Sequence, residues 1–239
     1  MTTQMTFYPA SERGSANHGW LQANHSFSFG GWYNPNRMNF GVLRVLNDDT
    51  VATGAGFPTH PHDNMEIITI PLSGELHHKD SMGNEGAIRA GEVQVMSAGT
   101  GITHSEYNGN SAAELKLFQI WIIPNKRNVA PRYDQFTIDP SSHHNRFAQL
   151  VSPNEDGEGV WIHQDAYIHM ATLEEGQTLD YLPKNSANGL YIMNIEGNIT
   201  VLENELNEKD ALGIETAEKL TFTAAKNSKF LVLEVPMTF

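Results

Sequence analysis

MEIITIPLSGELHH (residues 65–78) sets a run of β-branched and apolar residues, Met65 to Leu72, before a Ser73-Gly74 turn and a second short run, Glu75 to His78. Short apolar runs cut by Gly, Asn, Asp and Pro read as strands joined by turns. The pattern extends outward in both directions: Asn39 to Leu46, Val93 to Met96 and Leu115 to Ile123 in the first half, then Val160 to His163, Tyr167 to Leu173, Leu190 to Glu196, Ile199 to Leu202, Lys219 to Thr223 and Phe230 to Val235. Helical periodicity is scarce, and the charged stretch Glu203 to Ala211 reads as a loop or short strand. The expectation is an all-β protein.

The segment from Pro124 to Pro153 lacks alternation and reads as an inter-domain connection, giving an N-terminal domain at 1–130 and a C-terminal domain at 131–239. The halves also echo each other. SGELHHKDSMGNEGAIRAGEVQVM and IEGNITVLENELNEKDALGI share an order of Gly, strand, turn, acidic residue and strand, which suggests two copies of one barrel unit.

The formal charge of −13, from 28 acidic and 15 basic residues, disfavours phosphate backbones and anionic lipid as partners. No apolar run reaches the ~20 residues that span a bilayer, and no secretory leader pattern opens the sequence, so the expectation is a soluble, cytoplasmic protein that binds neither membrane nor nucleic acid directly. The chain has no cysteine, which excludes disulfides, thiolate nucleophiles and iron–sulfur clusters. Any metal must bind through nitrogen and oxygen.

His60-Pro61-His62 places two imidazoles at i and i+2, on one face of a strand. Glu66 keeps that parity if the strand continues. AGTGITHSEYN then places His104 and Glu106 at i and i+2 after a glycine cluster. Two such pairs on separate strands can converge on one ion. Three imidazoles and a carboxylate suit a divalent transition metal, with Fe(II) favoured and Cu, Ni, Mn, Co or Zn also compatible. Asp63, Glu66 and Asp80 are candidates to orient the imidazoles.

GAGFPTHPHDNMEIITIPLSGELHHKDSMGN (54–84) and GEVQVMSAGTGITHSEYN (91–108), with ERGSANHGWL, HSFSFGGWYNPNRMNFGVLRVLNDD and LKLFQIWIIP, resemble the pirin family of the cupin superfamily, specifically its bacterial quercetin 2,3-dioxygenase-like members. Gly54, His60, His62 and Glu66 follow the first generic cupin motif, with Gly74 one residue late. Gly91, Gly101, His104 and Asn108 follow the second in outline, with Gly99 in its proline position. The HxE of the second motif is pirin-like. The resemblance implies two tandem cupin-type (jelly-roll) barrels, a bicupin. It implies that Glu106 rather than Glu66 joins His60, His62 and His104 as ligand, and that the C-terminal barrel, which keeps no HxH and has His163 and His169 six apart with no later His, holds no metal.

It further implies a dioxygenase acting on a flavonol-like aromatic substrate with O2, for which Glu106 is the natural base. Alternatively it implies a non-enzymatic, redox-responsive metal protein that binds protein partners. Among the remaining histidines, His77 and His78 alternate faces and one is expected to bond Asp80. His143 and His144 read as surface residues, and His25 as buried and satisfied. Gln119 interrupts LKLFQIWII and needs a partner or a pocket. Met38, Phe40 and Phe57 are candidates for an apolar wall but fit core packing equally.

Overall fold

The structure, a computed structural model, describes residues 4–216 and 218–238. Its first part supplies β1 (Met5–Tyr8), β2 (Gly14–Asn17), β3 (Leu21–His25), β4 (Leu43–Val51), β5 (Gly56–His62), β6 (Glu66–Ser73), β7 (Glu75–Asp80), β8 (Glu85–Arg89), β9 (Glu92–Ser97), β10 (Ile102–Asn108), β11 (Leu115–Ile122) and β12 (Arg132–Thr137). The second supplies β13 (Ala148–Ser152), β14 (Val160–Trp161), β15 (Tyr167–Leu173), β16 (Thr178–Tyr181), β17 (Asn188–Glu196), β18 (Ile199–Val201), β19 (Asn204–Leu206), β20 (Ala211–Ile214), β21 (Leu220–Ala224) and β22 (Ser228–Pro236). Two short 3-10 turns are the only helical elements among the described residues, and no helix is long and apolar enough to cross a membrane.

Each barrel pairs a seven-stranded sheet with a four-stranded one. The orders β12-β9-β6-β11-β4-β3-β2 and β5-β10-β7-β8 recur as β1-β20-β17-β22-β15-β13-β14 and β16-β21-β18-β19. Even the irregularities repeat. The partners of β11 skip from Pro71 to Ser73, and those of β22 skip from Asn194 to Glu196, each just before a glycine turn at Gly74 or Gly197. The faint echo in the sequence is thus a full structural repeat.

The large sheets pack face to face. Ile68, Ile70, Phe118, Ile120 and Ile122 of one meet Tyr191, Met193, Leu231, Leu233 and Val235 of the other in one continuous apolar core. Alternate residues on the same strands turn into their own barrels. Both faces of β6 and β11 are therefore buried, which is why their sequences are nearly unbroken apolar runs rather than alternating ones.

Sheet membership crosses the 130/131 division in both directions. β12, within the stretch read as a connector, pairs with β9 of the first barrel, and β1 pairs with β20 of the second. The connector expectation fails for β12 because RYDQFT forms a half-exposed edge strand whose side chains carry no burial pattern. The strand expected at Asn39 to Leu46 starts at Leu43, after a bend at Gly41 with φ of 52°, and the strand expected at Val160 to His163 stops at Trp161.

Tyr8 anchors the exchanged N-terminal strand: it is 8% exposed and meets Phe27 and Tyr191 at ring-centroid distances of 6.3 and 5.3 Å. Tyr8→Ala is expected to cost about 3 kcal/mol in denaturant unfolding. Because the residue sits in the shared core, fluorescence and circular dichroism should lose that stability in one common transition.

Candidate metal centre

Strand β10 alternates cleanly: Ile102, His104, Glu106 and Asn108 are buried, whereas Thr103 and Tyr107 are exposed. His104 and Glu106 therefore point into the first barrel, as their spacing predicts. β5 is the edge of its sheet, where Pro58 and Pro61 are tolerated because an edge strand can do without their missing donors. It runs antiparallel to β10 with His60 opposite His104, and the register then shifts so that Glu106 faces Phe57. The extra residue lies on β5 around Pro58 and Thr59. Gly56 permits the close approach of the two backbones, since a Cβ there would lie 2.1 Å from the Glu106 carbonyl oxygen.

This pairing brings His60, His62 and His104 together, with ring nitrogens all within 4.8 Å of one another. Ring centroids stand 4.5 to 5.0 Å apart. The Nδ1–H of His60 donates to the Pro58 carbonyl oxygen at 2.8 Å, which fixes the tautomer and leaves Nε2 as the free lone pair. His104 is 2% exposed, yet neither of its ring nitrogens has a hydrogen-bond partner. Buried polar atoms are seldom left so, and two orphaned imidazole nitrogens beside two further imidazoles are what a metal ligand set looks like in the absence of its ion. The donor set fits a divalent transition metal.

Burial, reinforced by the other imidazoles, lowers His62 to about 4 and His104 to about 3. Both are neutral, and so able to ligate, at physiological pH.

Glu106 stands outside the imidazole triplet but in the same cavity. Gln119 Nε2 donates to both of its carboxylate oxygens, at 3.0 and 3.1 Å. Burial pushes its carboxyl up to about 7, against the lowering effect of the Gln119 bond. Gln119 thus finds the pocket and partner that its place in an apolar strand demands. The cavity, about 240 Å³, is walled by Phe29, Phe57, Ile67 and Trp121, with Asn47 and Asp49 beside the histidines and Glu106. Trp121 lies edge-on to His62 at 5.0 Å and to Phe29 at 5.3 Å.

Several expectations are corrected. Glu66 is on the opposite face of β6 from Ile67, because the turn at residues 63–65 breaks the parity carried over from His62. It accepts from Ser97 Oγ at 2.6 Å, away from the cavity. Asp80 caps the turn after β7 through Met82 N and the amides of Asn84, and the carbonyl of Pro58 does the orienting expected of acidic side chains. His78 bonds Tyr133 Oη at 2.7 Å rather than Asp80, and His77 pairs with Glu75. His25 is buried and satisfied, bonded through Nδ1 to Asn47 at 2.9 Å. Phe57 lines the cavity, Phe40 belongs to the core between the barrels, and Met38 is exposed.

Asn47, Asp49, Phe29 and Trp121 escaped the sequence reading. The signal for the first two was the parity of Asn47, Asp49 and Val51 on a strand thought to end at Leu46.

The chain matches the Pirin family model over residues 7–122 and the quercetinase C-terminal cupin domain over residues 149–235. It is 42% identical over 229 residues to the quercetin 2,3-dioxygenase of Escherichia coli K12, covering 95% of this chain and 96% of that protein. It is 40% identical over 227 residues to a pirin-like protein of Caulobacter vibrioides, covering 95% and 97%. Among solved structures, the bacterial pirin YhhW of Escherichia coli in complex with nickel(II) superposes with a TM-score of 0.92 at 38% identity, covering 98% of this chain and 99% of that one. The two-barrel, cupin-type architecture expected from the sequence is the architecture these proteins share.

The depressed imidazoles give a stability signature in the metal-free protein. Unfolded histidines take up protons below about pH 6.5, whereas His62 and His104 stay neutral when folded until about pH 4 and 3. The unfolded state then binds more protons, so stability falls as pH drops from about 6.5 toward 4. For buried His104 the loss should be about 1 to 2 kcal/mol by pH 5. His104→Gln should flatten that slope in denaturant titrations at pH 7 and pH 5; an unchanged slope contradicts the assignment.

Proposed function

The chain belongs to the pirin family, and on that premise we propose that it is a metal-dependent dioxygenase that cleaves flavonols such as quercetin with O2. The observation that carries this reading is the orphaned pair of nitrogens on buried His104, set against His60 and His62 at the head of an apolar-walled cavity. A divalent transition metal held by His60, His62, His104 and Glu106 would supply Lewis acidity toward a substrate hydroxyl and lower its pKa. Iron(II) is our first choice among Fe, Cu, Ni, Mn, Co and Zn for a site of imidazoles and one carboxylate; the complex of YhhW with nickel(II) is a precedent for a second.

The residues of the chain divide the remaining work. Glu106, a buried carboxylate held beside the imidazoles, is suited to accept the substrate hydroxyl proton. Gln119 holds both oxygens of that carboxylate in place. Phe29, Phe57 and Trp121 offer aromatic faces and edges to a planar ring and keep water from it. At about 240 Å³ the cavity is smaller than the roughly 300 Å³ at which drug-sized pockets begin. It therefore encloses one ring system and leaves the rest of a flavonol at the mouth.

Protein loaded in turn with iron, nickel, copper or manganese and incubated aerobically with quercetin should consume flavonol and O2 and release carbon monoxide. Glu106→Gln should lower kcat by about 100-fold while metal content by elemental analysis stays within about twofold of wild type. Unchanged turnover at full occupancy refutes the base assignment. Loss of no flavonol with any of the four metals turns the reading toward a metal-dependent protein that binds partners.

A further inference from the structure

Four polar side chains other than the histidines face the cavity of the first barrel: Asn47, Asp49, Glu106 and Gln119. Three are engaged within the protein, Asn47 by His25 and Glu106 by Gln119. Asp49 is not. It is 3% exposed, and its Oδ1 is sealed from solvent with no hydrogen-bond partner. Its neighbour Asp48 points to the opposite face of β4 and is paired with Arg13 at 3.1 Å and Lys209 at 3.2 Å. Among the described residues no cation pairs with Asp49 in that way.

An unpartnered buried carboxyl costs stability, and an apolar residue would serve the fold better. The second barrel supplies that comparison within the same chain. Asp49 lies opposite Leu117 on β11, at the strand irregularity next to Pro71. The repeat of that irregularity puts Phe230 in place of Leu117, and the residue opposite Phe230 is Ala171. Ala171 is fully buried in the apolar core of the second barrel. One frame, two barrels: the packed interior carries a methyl where the hollow one carries a carboxyl.

We infer that Asp49 is a specificity-determining residue that hydrogen-bonds a ring hydroxyl of a polyhydroxylated aromatic substrate inside the cavity. The inference rests on the flavonol reading above and adds to it the group that selects among flavonols. A site with a buried polar group waiting for a hydroxyl rejects the analogue that lacks it, because the group is then buried unpaired.

Metal-loaded protein titrated under nitrogen by calorimetry, with quercetin and with flavonols each lacking one of its hydroxyls, tests this without turnover. Wild type should bind one of the deleted flavonols at least about tenfold more weakly than quercetin. Asp49→Ala should bind the whole series within about threefold, with Asp49→Asn between the two. Ligand-free Asp49→Ala should also melt no lower than wild type at unchanged metal content, since it removes an unpartnered buried carboxyl. The inference is overturned if Asp49→Ala discriminates among the flavonols as wild type does, or if it melts lower and loses metal, as removal of a residue kept for the fold would. Failure of every flavonol to bind wild type instead removes the dioxygenase reading, and the inference with it.

Discussion

Strands β6 and β11 are buried on both faces except where Ser73 and Lys116 reach solvent. Each is pressed between the interior of its own barrel and the sheet of the sister barrel, so its buried residues answer to one of two cores. Ile68, Ile70, Phe118 and Ile120 serve the junction, while Ile67, Gln119 and Trp121 serve the cavity. A slip of one residue would exchange the two sets, burying Gln119 in the apolar junction and sending phenylalanine into the site. The same parity assigns Glu66 to the junction side and so removes it from the metal centre, however well its spacing fits the generic motif.

Much of this was legible because strand parity is a local property. His60, His62, His104 and Glu106 could be placed on one side of the barrel wall from their spacing alone, and Gln119 announced itself as a polar residue in an apolar run. What could not be read is set by partners distant in sequence. RYDQFT has no apolar stripe, since β12 is recognised by the edge of β9 it joins and not by its own burial. Asp49 is ordinary in the sequence NDD until β3 and β11 seal it from water. Glu66 is turned from the imidazoles by the bend at residues 63–65, and Asp80 is taken up by the turn after β7, neither of which spacing encodes.

The two barrels show how little of a metal centre belongs to the frame. Their strand orders agree throughout, yet the second interior is filled by Phe222, Phe230, Tyr181 and the partly buried Phe147, whose rings meet at 4.9 to 5.8 Å. Beside those rings, Tyr181 Oη donates to Glu234 at 2.8 Å and lies 3.2 Å from His169 Nδ1. The first barrel instead keeps a cavity lined by the unpaired ring nitrogens of His104 and the unpaired Oδ1 of Asp49.

The crossing of β1 and β12 between barrels bears on the order in which the molecule is made. A ribosome delivers Met5–Tyr8 long before its partner strand Ala211–Ile214. The first barrel has all its own strands once Thr137 has emerged, but the leading strand must then wait, unpaired, for most of the second barrel to follow. Domain-by-domain maturation during synthesis can therefore complete the half that carries the histidine cluster early, whereas closure of the second sheet depends on a contact between strands far apart in sequence. A nascent chain arrested before residue 214 would carry a finished site beside an open strand edge.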